Sequence, residues 1–320
     1  MSDRPIMERA GELARSGREQ EAIRLVEQAA EAGDADAQHE VAQWRLFGIY
    51  GPRDHQATLR LLASARAKGH VPATRLEAVL VGNGSIAPAD PARARKLLEQ
   101  VADRDAEARA QLALLDAMPP LEAVEQLDRE HLSADPPVTL VRNFLSPAEC
   151  SYLTARASPQ LQPSFVIDPR SGGRIPHPVR TSSGMNFGPM DEDLVIYALN
   201  RRIAAASGTA VENGELLQIL RYDPGQEYRP HLDAVAGLGN QREWTLLVWL
   251  NDDYQGGETC FPELGITAKG KAGDALIFRN AGRDGDPDMR MRHAGAPVTS
   301  GTKWLASRWI RRSTFSPWEN

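Results

Sequence analysis

Between Leu217 and Trp309 the chain carries His231 and Asp233 two residues apart in LQILRYDPGQEYRPHLD, and His293 later in RHAGAPVTSGTKWLASRWI. Residues i and i+2 of an extended strand point to one face, so His231 and Asp233 can share one cavity. A third donor from His293 on a later strand completes two imidazoles and one carboxylate. That set suits an Fe(II) held from one side with its other positions open. Zn(II) would accept the same donors, so a hydrolytic or purely structural metal site stays open at this point. A single histidine on a strand is usually structural, and His70, His131 and His177 are read that way. No GxGxxG, P-loop, GxSxG or CxxC pattern occurs, which leaves dinucleotide, phosphoryl, acyl and thiol chemistry without support.

The blocks around these residues carry a resemblance. They are RTSSGMNF (Arg180–Phe187), RYDPGQEYRPHLD (Arg221–Asp233), REWTLLVWLND (Arg242–Asp252), GGETCFP (Gly256–Pro262), GDALIF (Gly273–Phe278) and HAGAPV (His293–Val298). In this order they resemble the catalytic core of the prolyl 4-hydroxylase branch of the 2-oxoglutarate- and Fe(II)-dependent dioxygenases, over roughly Val138 to Arg312. The resemblance implies Fe(II) on His231, Asp233 and His293, with 2-oxoglutarate, O₂ and L-ascorbate as partners in turnover. It implies that Lys303, ten residues after His293, meets the far carboxylate of 2-oxoglutarate, helped by the hydroxyls of Tyr222 and Thr259. A compact ammonium suits one carboxylate end. The same resemblance sets Tyr228, Arg242 and Trp309 at the substrate cleft, with Arg180 and Ser183 as further lining residues. Arg242 would hold a peptide carbonyl, and the two aromatic rings would pack a pyrrolidine. The implied substrate is a prolyl residue in a protein or peptide, with a free amino acid or other small molecule as the alternative.

The elements that must position these residues form an α+β pattern. VTLVRNF reads as a strand. Ser146-Pro147-Ala148-Glu149 is a capping box with Pro at the first helical position, opening a helix through CSYLTARA. Pro163 to Pro178 is Gly/Pro-rich and reads as a loop. DEDLVIYALNRRIAAASG reads as an amphipathic helix stopped by Gly208. From Glu215 onward LLQILRY, EWTLLVWL, GETCFP, ITAKG, DALIF and TKWLASRWI alternate with turns, as in a jelly-roll barrel (double-stranded β-helix) with flanking helices. Gly256-Gly257 reads as a tight turn feeding Thr259 into the site. The charged, Gly-rich stretch between Phe278 and His293 departs from the family pattern and is read as a mobile lid.

Ahead of this core, Ile6 to Met118 is rich in Ala, Leu, Arg and Glu with helical periodicity. Leu25-Val26, Leu61-Leu62 and Leu97-Leu98 recur at 36 residues, with Ala22, Thr58 and Ala94 in register and Gly33 and Gly69 after helices; the third copy is one residue shorter. That period argues stacked helix pairs, an α-solenoid. The spacing is similar to Sel1-like and tetratricopeptide repeats, which implies a surface that docks a protein substrate. LEAVEQLDREHL reads as one more short helix, and Ser133-Ala134-Asp135-Pro136-Pro137 as a stiff linker, giving domains of residues 1–133 and 134–320.

The net charge is −6. Residues 1–139 hold 17 basic and 23 acidic side chains, and the remainder is balanced, so neither half reads as a nucleic-acid surface. Cys150 and Cys260 read as free thiols. The charged N-terminus and the lack of a long apolar run suggest neither secretion nor a membrane span, and a cytoplasmic enzyme is expected. A binding protein with working repeats and a silent barrel is the non-enzymatic alternative.

Overall fold

The 36-residue period is built as helical hairpins. In the computed structural model, which describes residues 5–167, 174–176, 179–282 and 284–318, contacts divide the chain into two units. One is Met1–Ala117 with Pro189–Tyr197, the other Met118–Gly188 with Ala198–Asn320.

The first unit holds α1 (Ile6–Arg15), α2 (Glu19–Glu31), α3 (Ala35–Phe47), α4 (His55–Ala67), α5 (Val71–Asn83), α6 (Pro91–Glu99) and α7 (Ala106–Ala117). The repeat positions are its core: Ala22, Thr58 and Ala94 are buried, as are Val26, Leu62 and Leu98. Gly33 and Gly69 take φ of 96° and 81°, the left-handed turn that ends α2 and α4. Asp34, Asp54, His70 and Asp90 each cap the following helix by accepting from the backbone N–H three residues on, at 2.8 to 3.0 Å. His70 is thus structural. So is His131, whose Nδ1 meets Thr139 Oγ1 at 3.1 Å. His177 lies outside the described residues.

The second unit is α+β. Its helices are α8 (Pro147–Ala157) and most of α9 (Leu194–Ser207), whose first turn counts with the helical unit. The capping box of Ser146 and Glu149 forms, with Pro147 first in α8. In chain order the strands are β1 (Arg129–Ala134), β2 (Pro137–Val141), β3 (Gln162–Pro163), β4 (Phe165–Ile167), β5 (Arg174–Pro176), β6 (Ser183–Asn186), β7 (Gln218–Tyr222), β8 (Tyr228–His231), β9 (Arg242–Trp249), β10 (Gln255–Gly256), β11 (Thr259–Phe261), β12 (Ile266–Ala268), β13 (Ala275–Arg279), β14 (His293–Gly295), β15 (Val298–Ser300) and β16 (Lys303–Arg311). The large sheet runs β1-β2-β13-β9-β16-β7-β6-β3, and a four-stranded sheet runs β12-β11-β14-β8. Leu220, Tyr222, Trp249, Leu276 and Phe278 of the first pack on Phe261, Ala268, Met291 and Val298 from the second side. Burying each such large apolar side chain stabilises the fold by roughly 1.5–3 kcal/mol.

Four expectations are corrected. The two sheets face each other across one core, and among the described residues no strand ladder joins their edges, so the jelly roll is not a closed barrel. LEAVEQLDREHL is not one helix: Leu121–Gln126 makes a 3₁₀ turn, and Arg129 begins β1. The expected linker at Ser133–Pro137 is the end of β1, a turn and the start of β2, so this hairpin lies inside the second unit. β1 is a sheet edge, half of it exposed, so its sequence lacks the apolar alternation that marks a strand. Part of Pro163–Pro178, expected as a loop, pairs as β3 with β6 and β4 with β5; residues 168–173 and 177–178 lie outside the described residues. Cys150 and Cys260 are both free thiols. Among the described residues no helix is long and apolar enough to cross a membrane.

Candidate active site

His231 ends β8 and His293 opens β14, directly opposite each other in register. Asp233 follows two residues after His231. One donor atom from each of His231, Asp233 and His293 lies within 4.8 Å of the others. Both imidazoles are oriented alike. His231 Nδ1 meets the carbonyl of Arg229 at 2.8 Å, and His293 Nδ1 that of Met291 at 3.0 Å. A carbonyl only accepts, so each Nδ1 carries the proton and each Nε2 offers a lone pair inward. His231 Nε2 is buried with no hydrogen-bond partner, 3.5 Å from Asp233 Oδ1. His293 Nε2 is 3.7 Å from Asp233 Oδ2.

Charge at the centre is tuned the same way. Burial opposes ionisation of Asp233, but His293, His231 and the Thr245 hydroxyl outweigh it and hold its carboxyl below the usual carboxylate range. Burial lowers the pKa of His293, with Asp233 opposing. An ionised carboxylate is the protonation state in which Asp233 binds a divalent cation. Two inward lone pairs, one orphaned, beside a carboxylate fit a metal ion and have no other use in the fold.

β8 and β14 explain how Tyr228 joins them. Gly295 pairs with Tyr228 and His293 with His231, so β8 spends one residue more than β14 between the two pairs. This bulge turns residues an odd number apart to one face. Tyr228 therefore stacks on the His231 ring with centroids 3.5 Å apart.

The rest of the cavity comes from strand alternation. β16 contributes Lys303, Leu305, Ser307 and Trp309, and β7 contributes Gln218, Leu220 and Tyr222, every second residue in each. Lys303 faces Tyr222 across the ladder. Lys303 is 3% exposed, and its ammonium donates to the Gly257 carbonyl at 2.6 Å. No carboxylate among the described residues pairs with it, and burial lowers its pKa to about 8. A buried cation with a carbonyl for company is a seat for an anion. Tyr222 and Thr259 are buried in the same wall, with burial pushing the Tyr222 phenol up to about 12. Gly256 and Gly257 both take positive φ, at 73° and 69°. A Cβ on Gly257 would come within 3.0 Å of the Lys303 side chain.

At the outer end the expected residues divide. Tyr228, Arg180 and Trp309 line the cavity. Arg242 does not. Its guanidinium is turned into Glu215, at 2.6 and 2.9 Å, and lies 3.7 Å over the Trp309 ring. It braces an aromatic wall instead of facing a peptide carbonyl. Ser183 is also outside the lining. Arg180 and Ser183 are three apart, and extended backbone cannot turn both to one face. Ser182, wholly buried, neighbours the Tyr222 phenol and shares a hydrogen bond with Ser164 at 3.1 Å.

Four residues of the site were not anticipated: Ser182, Gln218, Thr245 and Asn280. Gln218 accepts from Arg180 at 2.8 Å. Thr245 donates to Asp233 Oδ2 at 2.7 Å. Ser182 and Gln218 were reachable by counting in twos from Arg180 and Tyr222. Thr245 is the one hydroxyl in the apolar run of β9, which is itself a signal.

The family described as the 2OG-Fe(II) oxygenase superfamily matches residues 217–311. Prolyl 4-hydroxylase 1 of Arabidopsis thaliana is 42% identical over 206 residues, which is 58% of this chain and 73% of that protein. Among solved structures, the viral collagen prolyl hydroxylase of Paramecium Bursaria Chlorella virus-1, as its 2OG complex, is 28% identical and aligns with TM-score 0.44 over 55% of this chain and 96% of its own. A Sel1 repeat protein from Oxalobacter formigenes aligns with TM-score 0.31 at 22% identity, over 34% of this chain and 85% of its own.

Proposed function

Because this chain belongs to the prolyl 4-hydroxylase family of 2-oxoglutarate- and Fe(II)-dependent dioxygenases, we propose that it hydroxylates prolyl residues presented in a protein or peptide, releasing succinate and CO₂. The observation that carries this reading is one cavity that joins three inward donors at one end to the buried Lys303 ammonium at the other.

His231, Asp233 and His293 would hold Fe(II), and Lys303 would take the far carboxylate of 2-oxoglutarate with Tyr222 and Thr259 beside it. Iron, when bound there, supplies the activation of O₂ that is coupled to decarboxylation of 2-oxoglutarate, and L-ascorbate keeps it reduced. The protein's own part is positioning. Lys303 neutralises and orients the co-substrate, and the closed apolar wall of Leu220, Leu247 and Leu305 keeps bulk water off it. Tyr228 and Trp309 offer ring faces on which a pyrrolidine packs. Arg242 keeps Trp309 in place.

For the helical unit we propose docking of the protein substrate. The end of α3 and the turn after it expose Phe47, Ile49 and Tyr50, three large apolar side chains close together in sequence. Phe47→Ser with Ile49→Ser should raise KM for a long protein substrate and leave KM for a short peptide unchanged.

The test of the reaction is succinate release by purified chain with Fe(II), ascorbate and 2-oxoglutarate, with and without Pro-rich peptides. Stimulation by peptide together with hydroxyproline in it supports the reading. Succinate that no peptide stimulates removes the prolyl substrate and directs the search to free amino acids. Asp233→Ala should reduce turnover to background, and full succinate production by that variant would sink the metal assignment.

A further inference from the structure

The loop between β13 and β14 reaches the metal donors from both of its ends. At its start Asn280, 1% exposed, donates from Nδ2 to Thr245 Oγ1 at 2.7 Å. Thr245, wholly buried, donates in turn to Asp233 Oδ2 at 2.7 Å. The direction of this relay is set by the groups. The amide nitrogen has only protons to give, an ionised carboxylate has only lone pairs, and the hydroxyl between them has one proton to place. With the amide turned over, its oxygen would compete with Asp233 for that proton. At the other end of the loop Met291 supplies the carbonyl that fixes His293 Nδ1.

Between these ends the loop is tied to itself and to β9. Asp288 N–H donates to the Asn280 carbonyl at 3.0 Å, Gly282 N–H to that of Asp286 at 2.9 Å, and Asn280 N–H to Glu243 at 2.8 Å. Such a bonded base positions residues.

We propose that Asn280 and Thr245 are positioning residues for the metal centre. Together they hold Asp233 by Oδ2 and leave Oδ1 as the oxygen presented to the ion, while the same loop sets His293 through Met291. This rests on reading His231, Asp233 and His293 as the iron site. The alternative is that Thr245 and Asn280 merely satisfy each other in the core. A valine would fill the place of Thr245 in this apolar strand without any partner. Burying a hydroxyl and an amide costs free energy unless bonded, and Asn280 Oδ1 stays without a partner. A pair retained at that cost points to what it touches, which is the carboxylate.

The experiment is Mn(II) binding to the full chain without 2-oxoglutarate, read by electron paramagnetic resonance, with thermal melts on every variant. Loss of an outer hydrogen bond to a metal ligand typically weakens binding by roughly 10–100-fold. Thr245→Val should raise the Mn(II) Kd by that factor. Thr245→Ser should restore it. Asn280→Ala should weaken binding by about tenfold, and adding it to Thr245→Val should change nothing further, since Asn280 acts through the hydroxyl. Wild-type affinity in Thr245→Val overturns the proposal, and so do additive effects of the two changes. If Thr245→Val does not fold, unchanged affinity in Asn280→Ala overturns it instead. A wild-type chain that binds no Mn(II) removes the metal reading itself, and the proposal with it.

Discussion

Glu77 in the helical unit and Lys303 in the β unit are both buried ionisable groups, and their surroundings differ in kind. Glu77 is 0% exposed and its two oxygens meet Arg66 and Arg93, each at 2.7 Å. Lys303 is 3% exposed and meets one backbone carbonyl. The buried carboxylate in the repeats is neutralised from within, so it belongs to the structure. The buried ammonium in the cavity is half-answered, since no carboxylate among the described residues pairs with it, and it is open to an anion from outside. Asp233 and the orphaned Nε2 of His231 repeat this on the metal side. Burial of a charge marks nothing by itself; burial without a countercharge marks the site.

The largest effect that would break this comparison is at Lys303. Replacing it by Met keeps the length and the apolar stem and removes the charge. A hydrogen bond to a charged group is worth about 1.5–3 kcal/mol, so KM for 2-oxoglutarate should rise about a hundredfold, with Mn(II) affinity unchanged. Unaltered KM would show that Lys303 is no different from Glu77, a packed group without a ligand.

The counterpart is Glu77→Leu. Arg66 and Arg93 are 29% and 52% exposed at the side chain and can return to water once the carboxylate is gone. Stability should therefore drop by about 2 kcal/mol, less than for a fully enclosed pair. Succinate formation from 2-oxoglutarate should not change, because the site is built in the other unit. Chemical denaturation and a turnover assay on one preparation check both halves.

What the sequence made legible follows the range of the interactions. The repeats are local: Ala22, Thr58 and Ala94 recur at the contact where hairpins pack, and the helices that carry them, α2, α4 and α6, begin 36 residues apart. His231 and Asp233 were singled out as an i, i+2 pair of a strand, but β8 ends at His231 and Asp233 reaches the same cavity from the bend that follows. All but one of the failures are non-local. β1 pairs at a sheet edge and needs no apolar pattern of its own. Arg242 is claimed by Glu215, 27 residues away, and Asn280 meets Thr245 across 35. Nothing in the neighbouring residues announces such a pairing. Ser183 failed for a local reason: alternation, applied from Arg180, selects Ser182.

A smaller effect sharpens the picture of Lys303. Burial holds its folded pKa at about 8, against 10.5 for the ordinary group. Below about pH 8 the free protein offers an ammonium to 2-oxoglutarate. Above it, binding must first restore a proton, so affinity should fall by about tenfold per pH unit. The same shift means that the charged lysine costs stability in the ligand-free protein, a cost relieved as pH rises from about 8 towards 10.5. Titrating 2-oxoglutarate into the Mn(II)-loaded chain at pH 7, 8 and 9 tests this. Affinity flat across the range would place the Lys303 proton outside the binding step.

The smallest effect belongs to the helical unit and has the opposite sense of pH. Burial, aided by the neighbouring His70, lowers the pKa of His39 from 6.5 to about 4. The two rings lie 5.1 Å apart. The folded protein keeps His39 neutral where the unfolded chain would protonate it. Its contribution is therefore complete above about pH 6.5 and is lost as pH falls towards 4. Because the ring is partly open to solvent, the loss between pH 7 and 5 should be about 1 kcal/mol. His39→Gln cannot titrate, so its stability should change less over this interval than that of the wild type, by the same amount. Equal pH dependence in both proteins, measured by urea unfolding, would mean that the repeats are as indifferent to protons as their closed ion pairs suggest.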